Sequence, residues 1–187
     1  MAGCVSPSSG GGSNKMVNLS VNFESDNEEV NSKSVFSSAF FNDVYGKVSA
    51  TYKIGENEPI SFVDGVGNEV ITFSPSELYN TNSFIVPDIR LTDIQHLYFV
   101  ISFTFTNDSV SKNMVVKPYF NIFSSKNLLT TFSRNDGPYT NSIGGNLVVA
   151  SGESQTFNAK FAVENLAIDA NLQLEGALLF RIKAATV

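Results

Sequence analysis

Apolar and polar residues alternate with a period of two along most of this chain. The clearest example puts five apolar residues of one segment on a single face: Leu97, Phe99, Ile101, Phe103 and Phe105. Successive side chains of a β-strand point to opposite faces, so this spacing predicts a strand with one buried face. No window of ten or more residues has a convincing helical stripe, and the hints at 35–41 and 74–79 amount to single turns. The pattern therefore predicts an all-β protein.

The same period recurs between turn-forming residues along the rest of the chain. It predicts further strands with inward residues in the ranges 17–23, 44–54, 114–122, 157–163 and 174–182, and short strands at 60–63, 70–73 and 147–150. Pro118 indicates an edge or a bulge, because proline cannot donate to a sheet ladder. About nine or ten short strands predict an antiparallel β-sandwich of jelly-roll type.

Length and aromatic content agree with one packed domain. The chain has 187 residues, with 16 Phe, 6 Tyr and no Trp. Phenylalanine buries a large area without a polar atom to satisfy, so it suits the core between two sheets. We predict one β-sandwich domain at 16–187, preceded by a flexible N-terminal arm at 1–15 whose Ser/Gly-rich composition is that of a linker.

The charge balance excludes several partners. The net charge is −6, only 16% of residues are charged, and Arg90, Arg134 and Arg181 are the only arginines. Nucleic-acid binders need clustered cations, which this chain lacks, so no nucleic-acid partner is expected. The most apolar stretch, 97–105, is far too short to cross a membrane, so no membrane span is expected.

The N-terminal residues support two interpretations. In the first, the arm docks on a neighbouring subunit through Cys4, Val5, Pro7 and Val17. In the second, Ala2-Gly3-Cys4 before a Ser/Gly-rich stretch is similar to the start of a mature bacterial lipoprotein, so that Cys4 anchors the chain to a lipid surface. No signal peptide is expected after Met1, since no charged or apolar region precedes Cys4.

Catalytic groups are scarce, and neither an enzyme nor a cofactor is expected. The single histidine, His96, has no second histidine or folded cysteine to share a metal or a reaction. Gly65-Val66-Gly67 lacks the third glycine and the following helix of a phosphate loop, so it indicates a turn. Glu56 and Glu58 could act as paired catalytic carboxylates only if they faced a cleft. They lie on a turn between Gly55 and Pro59, so solvated carboxylates are the simpler interpretation.

Two weaker candidate sites have the right residue types. Asp64, Asn68 and Glu69 share one loop and could offer oxygen ligands to calcium, although their spacing is not that of an EF-hand. Tyr79, Asn82 and Tyr139 lie in Asn-rich or Asp-rich turns and could contact a glycan. The same residues are also ordinary turn formers.

Three stretches carry a family resemblance. In the first, 55–62, a polar turn and Pro59 precede Ile60-Ser61-Phe62. The second is 83–87 followed by 97–101, and the third is 147–153 together with 176–182. Over 44–187 the order of these elements resembles the tumour-necrosis-factor-like jelly roll of trimeric phage virion and bacterial spore-surface proteins. The usual glycine before the central tyrosine is missing, since Leu97 precedes Tyr98. The resemblance implies a homotrimer.

Together these features predict a non-enzymatic structural protein. A surface poor in charge, with 24 Ser and 20 Asn, suits close packing against copies of the chain or other shell proteins. The expected role is a decoration, head-fibre or appendage subunit on a virion or on a cell or spore surface. The alternative is an extracellular module that binds carbohydrate or a receptor.

Overall fold

The protein was analysed as a computed structural model that describes residues 16–26, 46–74, 82–91, 98–125, 128–163 and 173–186. Its strands are, in chain order, β1 (Asn18–Ser25), β2 (Gly46–Ile54), β3 (Ile60–Ser61), β4 (Val63–Asp64), β5 (Val70–Phe73), β6 (Asn82–Ile85), β7 (Tyr98–Asn107), β8 (Lys112–Ser124), β9 (Leu128–Arg134), β10 (Leu147–Val149), β11 (Ser154–Val163) and β12 (Leu174–Thr186). The predicted helical turn at 35–41 and all but the first residue of that at 74–79 lie outside the described residues.

The strands form two sheets that pack face to face. Sheet 1 has the order β10-β8-β12-β1-β6-β4, and sheet 2 has the order β3-β2-β7-β11-β9, with β5 also paired to β2. From β7 to β12 each successive strand belongs to the opposite sheet, which is the alternation of a jelly roll. The predicted all-β sandwich is confirmed.

Alternation along the strands builds the core, as predicted. Phe99, Ile101, Phe103 and Phe105 of β7 are all 0% exposed, whereas the intervening Ser102 is half-buried. The corresponding inward residues of β1, β2, β8, β11 and β12 join the same core. Leu97, the first residue of the predicted β7 face, lies outside the described residues.

One buried polar side chain connects the two sheets at the end of β7. Asn107, at the end of β7, is 1% exposed. Its amide nitrogen donates to the carbonyl oxygens of Lys112 (2.8 Å) and Val149 (2.9 Å), and its carbonyl accepts from the Ser109 N–H (2.9 Å). These three bonds satisfy the buried amide and join the end of sheet 2 to β8 and β10 of sheet 1.

The structure also differs from the sequence prediction. β1 and β12 pair in parallel, from Asn18 opposite Glu175 to Ser25 opposite Ile182, so sheet 1 is mixed. Twelve strands are present in the described ranges, because β6 and β9 were not predicted and the predicted strand at 60–63 is two strands, β3 in sheet 2 and β4 in sheet 1. Pro118 is tolerated because β10 pairs only with 114–116, which leaves β8 without a partner on that side at residue 118.

Candidate functional site

The solvent-facing side of sheet 1 presents large apolar side chains. Phe123 and Tyr119 lie four residues apart on the same face of β8 and are 62% and 46% exposed. Val148 of β10 is 55% exposed, and Leu179 of β12 lies directly opposite Tyr119. The outward residues of β10, β8, β12 and β1 are called the sheet 1 face below. Val148 lies opposite Val115, so Val148, Tyr119 and Phe123 follow one another along this face at intervals of four residues, with Lys117 and Asn121 between them.

Two ion pairs lie beside these apolar residues. The Arg181 Nε lies 2.7 Å from Glu24 Oε1, and the Lys117 Nζ lies 2.6 Å from Asp26 Oδ2. The Arg181 guanidinium also lies 4.9 Å from the ring centroid of Tyr119, a cation–π distance. The hydrogen bond to Glu24 raises the pKa of Arg181, which therefore stays charged.

The charges of the sheet 1 face cancel. Alternation and register place three basic side chains there against three acidic side chains on the face or just after β1: Lys117, Arg181 and Lys183 against Glu24, Asp26 and Glu175. The whole chain carries −6. This face is therefore a locally neutral surface on an acidic protein.

The solvent-facing side of sheet 2 is polar and contains a cluster of lysine and tyrosine. The Lys160 Nζ lies 4.5 Å from the ring centroid of Tyr98 and 5.2 Å from that of Tyr139. The Lys53 Nζ lies 5.9 Å from the Tyr98 ring. The Tyr98 hydroxyl donates to a carboxylate oxygen of Glu56, and this hydrogen bond raises the pKa of Tyr98. We call Lys53, Tyr98, Tyr139 and Lys160 the lysine–tyrosine cluster.

An open groove of about 530 Å³ lies between β8 and β9. Four apolar and four uncharged polar residues line it: Phe120, Ile122, Phe132 and Ile143, with Ser124, Thr130, Asn141 and Ser142. Arg134 holds the adjoining loop by donating to the carbonyl oxygens of Gly144 (2.7 Å), Gly145 (2.6 Å) and Asn146 (2.9 Å). All the acceptors that Arg134 contacts in this loop are backbone carbonyls, and the Ser142 hydroxyl accepts from the Gly144 N–H (3.2 Å).

The calcium candidate forms a tight turn. The Asp64 Oδ1 accepts from the backbone N–H of Val66 (2.9 Å) and of Asn68 (2.8 Å), and Oδ2 accepts from the Asn68 side-chain amide (3.1 Å). These bonds, the Asn68 backbone bond foremost, lower the pKa of Asp64. Asn68 therefore presents a donor to the carboxylate, and Asp64 and Asn68 are explained as turn residues. The calcium assignment, including Glu69, stays a prediction.

Asp64→Ala is expected to lower the melting temperature at neutral pH, because it removes these acceptors from the turn. The native pKa lies below the ordinary 3.8, so the carboxylate stabilises the fold above that value and this contribution is lost as pH falls through the lowered native pKa. Thermal unfolding of both proteins from pH 7 downward should show the difference narrowing in acid. Glu58→Ala, at an exposed residue, is the control; a pH-independent difference for Asp64→Ala would contradict the argument.

The glycan candidates are not brought together. Asn82 lies half-buried in β6 of sheet 1, whereas Tyr139 lies near Lys160 of sheet 2 and is 41% exposed. Tyr79 lies outside the described residues. Tyr98 and Lys160, which do approach Tyr139, were missed as site residues, although alternation along β7 and β11 had already placed both on the outward side.

Among the arm residues, only Val17 belongs to the described part of the chain. Its side chain is 6% exposed, and its N–H donates to the Ile89 carbonyl oxygen at 2.7 Å. Val17 therefore packs in the domain core and is not available to contact a neighbour. Cys4, Val5 and Pro7, like His96, lie outside the described residues.

The described residues form neither a metal-ligand cluster nor a membrane-spanning helix. They contain no group of three or more His, Cys, Asp or Glu side chains placed to hold a metal ion. They also form no helix of the length and hydropathy that a membrane crossing requires. Comparison of the chain with family models, with curated proteins and with solved structures gave no match.

Proposed function

We propose that this chain is a non-enzymatic structural protein that assembles with copies of itself on a virion or on a cell or spore surface. The observation that carries the proposal is the sheet 1 face, where exposed Tyr119 lies beside the paired charges of Arg181 and Glu24 and exposed Phe123 lies four residues further along β8. Aromatic residues and arginine are enriched at protein interfaces, and unpaired charges are costly to bury there.

A second copy of the chain is the partner that fits this face. Two copies each carry −6, so most of their surfaces repel one another. Together with Asp26, just after β1, the sheet 1 face carries equal numbers of acidic and basic groups, and the Arg181–Glu24 and Lys117–Asp26 pairs are satisfied within one copy. A copy can therefore approach it without meeting an excess of like charge.

The position of β1 supports a role for the N-terminal arm in the same assembly. Residues 1–15 lead into β1, whose first residue, Asn18, lies in the same row across sheet 1 as Glu175 and Phe123. An arm entering at this row begins beside the most exposed aromatic residue of the face. Three copies are the first expectation, from the resemblance to the trimeric jelly-roll proteins. Lipid anchoring through Cys4 is the alternative means of surface attachment.

Phe123→Glu is expected to weaken self-association about thirtyfold or more, the effect of losing an interface hot spot of about 2 kcal/mol. It replaces an exposed apolar contact by a carboxylate on a face that is neutral. Size-exclusion chromatography with light scattering on the full chain at micromolar concentration should show a trimer for the parent and a monomer for the variant.

Val110→Glu is the matched control. Val110 is 94% exposed and precedes β8, so the substitution adds the same charge outside the sheet 1 face. It should leave the oligomer intact. A monomeric parent chain, or equal effects of the two substitutions, would overturn the proposed interface. Removal of residues 1–15 tests the arm in the same assay, and unchanged assembly would remove the arm from the proposal.

Carbohydrate recognition is the second candidate function, and a different surface favours it. Tyr139 is exposed beside Lys160, at the rim of a sheet side covered by hydroxyl groups. Aromatic rings and hydroxyl groups together are what a sugar ring contacts in a protein. Tyr139→Ala would reduce binding in a glycan array if this surface holds sugar.

A further inference from the structure

The outward side of sheet 2 has an excess of positive charge on an acidic protein. Outward positions of β2, β7 and β11 carry three lysines, Lys47, Lys53 and Lys160, and the nearest acidic groups come from loops: Asp108 beside Lys47, and Glu56, which accepts from the Tyr98 hydroxyl. Lys47 has a carboxylate neighbour, since its Nζ lies 3.8 Å from Asp108. Neither Lys53 nor Lys160 has a carboxylate oxygen within 4.0 Å among the described residues. Two cations are therefore available to an external anion.

The register fixes the separation of these two lysines. Lys53 of β2 and Lys160 of β11 both lie opposite Val100 of β7, one on each side. Two inter-strand spacings place their Cα atoms about 10 Å apart. Tyr98 lies two residues from Val100 on the same side of β7, next to both ammonium groups. The arrangement suits a ligand with repeated negative groups on rings.

Further along β7 and β11 from the cluster, the outward side is rich in hydroxyl groups. Thr104 and Thr156 pair their hydroxyls across β7 and β11 at 3.1 Å, and Thr106 and Ser154 do so at 2.8 Å. Each hydroxyl keeps further capacity to donate or accept. A row of such groups can bond to an extended polyhydroxylated chain without enclosing it.

The topology disfavours a peptide as the ligand. β7 is paired on both sides, by β2 and β11, so no free strand edge is available there for β-augmentation. Val100, the apolar residue of β7 between Lys53 and Lys160, is only 5% exposed, so it offers little apolar surface to a peptide side chain. A polynucleotide is less favoured, because the hydroxyl groups along β7 and β11 match the many hydroxyls of a sugar chain better than a run of phosphates.

We infer that the lysine–tyrosine cluster binds an anionic polysaccharide. Lys53 and Lys160 contact acidic groups on neighbouring sugar units, and Tyr139 contacts a sugar ring. The inference deepens the second candidate function and is independent of assembly through sheet 1. The shared chemistry is a negative group on a repeating sugar, which is a carboxylate in polygalacturonate and a sulfate in dextran sulfate.

The test measures binding of the full chain to polygalacturonate, dextran sulfate and neutral dextran by calorimetry at low and high salt. The expected result is binding to at least one anionic polymer, weakened by salt, and much weaker binding to dextran. Lys53→Gln and Lys160→Gln should each reduce affinity about tenfold, as loss of one charge-assisted contact of about 1.4 kcal/mol would. Lys112→Gln removes the same charge from the start of β8 and should leave binding unchanged.

Four outcomes, one of them from single-stranded DNA measured in the same way, would overturn the inference, and they separate it from the broader function. Equal binding of dextran and the anionic polymers would remove the anionic preference and keep carbohydrate recognition. If the chain binds none of the polymers, both the anionic-polysaccharide inference and carbohydrate recognition are wrong. Equal losses in Lys53→Gln, Lys160→Gln and Lys112→Gln, or tighter binding of single-stranded DNA than of either anionic polymer, would show a nonspecific response to charge. The oligomeric state, measured in parallel, should not change in the glutamine variants.

Discussion

Phe180→Ala is expected to destabilise the domain by about 3–5 kcal/mol, the cost of truncating a buried phenylalanine. Phe180 of β12 is 0% exposed. Its ring centroid lies 4.6 Å from that of Phe103, 5.2 Å from Phe105 and 5.5 Å from Phe23. The ring joins both sheets, so its removal leaves a cavity that no single strand can close.

Urea unfolding followed by circular dichroism measures this loss at one fixed protein concentration, since assembly adds to apparent stability. Val110→Ala is the control, because Val110 is almost fully exposed and its truncation should change the free energy of unfolding by less than about 0.5 kcal/mol. A Phe180→Ala midpoint equal to that of the control would contradict the central position of this ring.

Gly176→Ala is expected to cost about 3 kcal/mol or more, combining backbone strain with overpacking. Gly176 has a φ of +150°, which side chains rarely adopt. A Cβ at this position would lie 2.1 Å from the Asn121 carbonyl oxygen and 2.9 Å from the Ile122 Cα. Both contacts are with backbone of β8, so relief would require the β8–β12 pairing to shift.

The measurement is again the urea midpoint, with thermal unfolding as a second readout. Gly65→Ala is a matched control, since a Cβ there meets nothing within 4 Å and no positive φ is involved. The urea midpoint of the control should be close to that of the parent. If the urea midpoint of Gly176→Ala also equals that of the parent, β8 and β12 must separate more readily than their paired register implies.

Local alternation predicted the strands whose inward residues are consistently apolar. β7 and β11 were predicted for this reason, and their inward phenylalanines are buried. β9 was not predicted, because Leu128, Phe132 and Ser133 are its buried residues and the period of two is broken. β6 has four residues, with Phe84 the only apolar residue facing the core, which is too short to give a period.

The candidate surfaces were predicted only in part. The Asp64 turn and Tyr139 could be identified because turn chemistry acts between near neighbours in sequence. The contact of Lys160 with Tyr98 and the pair formed by Arg181 and Glu24 could not, since each depends on strands far apart in the chain. A strand can form the same backbone hydrogen bonds with many other strands. Which strands pair is therefore decided by the faces that the two sheets can bury together.

The amino-acid sequence by itself thus determined that the chain is all-β and which side of most strands faces the core. Both follow from the pleat, which turns every second side chain to the same face. Only the tertiary structure decided the parallel pairing of β1 with β12, the neutral sheet 1 face around Phe123 and the cluster around Lys160. Each of these is a matter of register between distant strands, and register is set by the packing of the whole core.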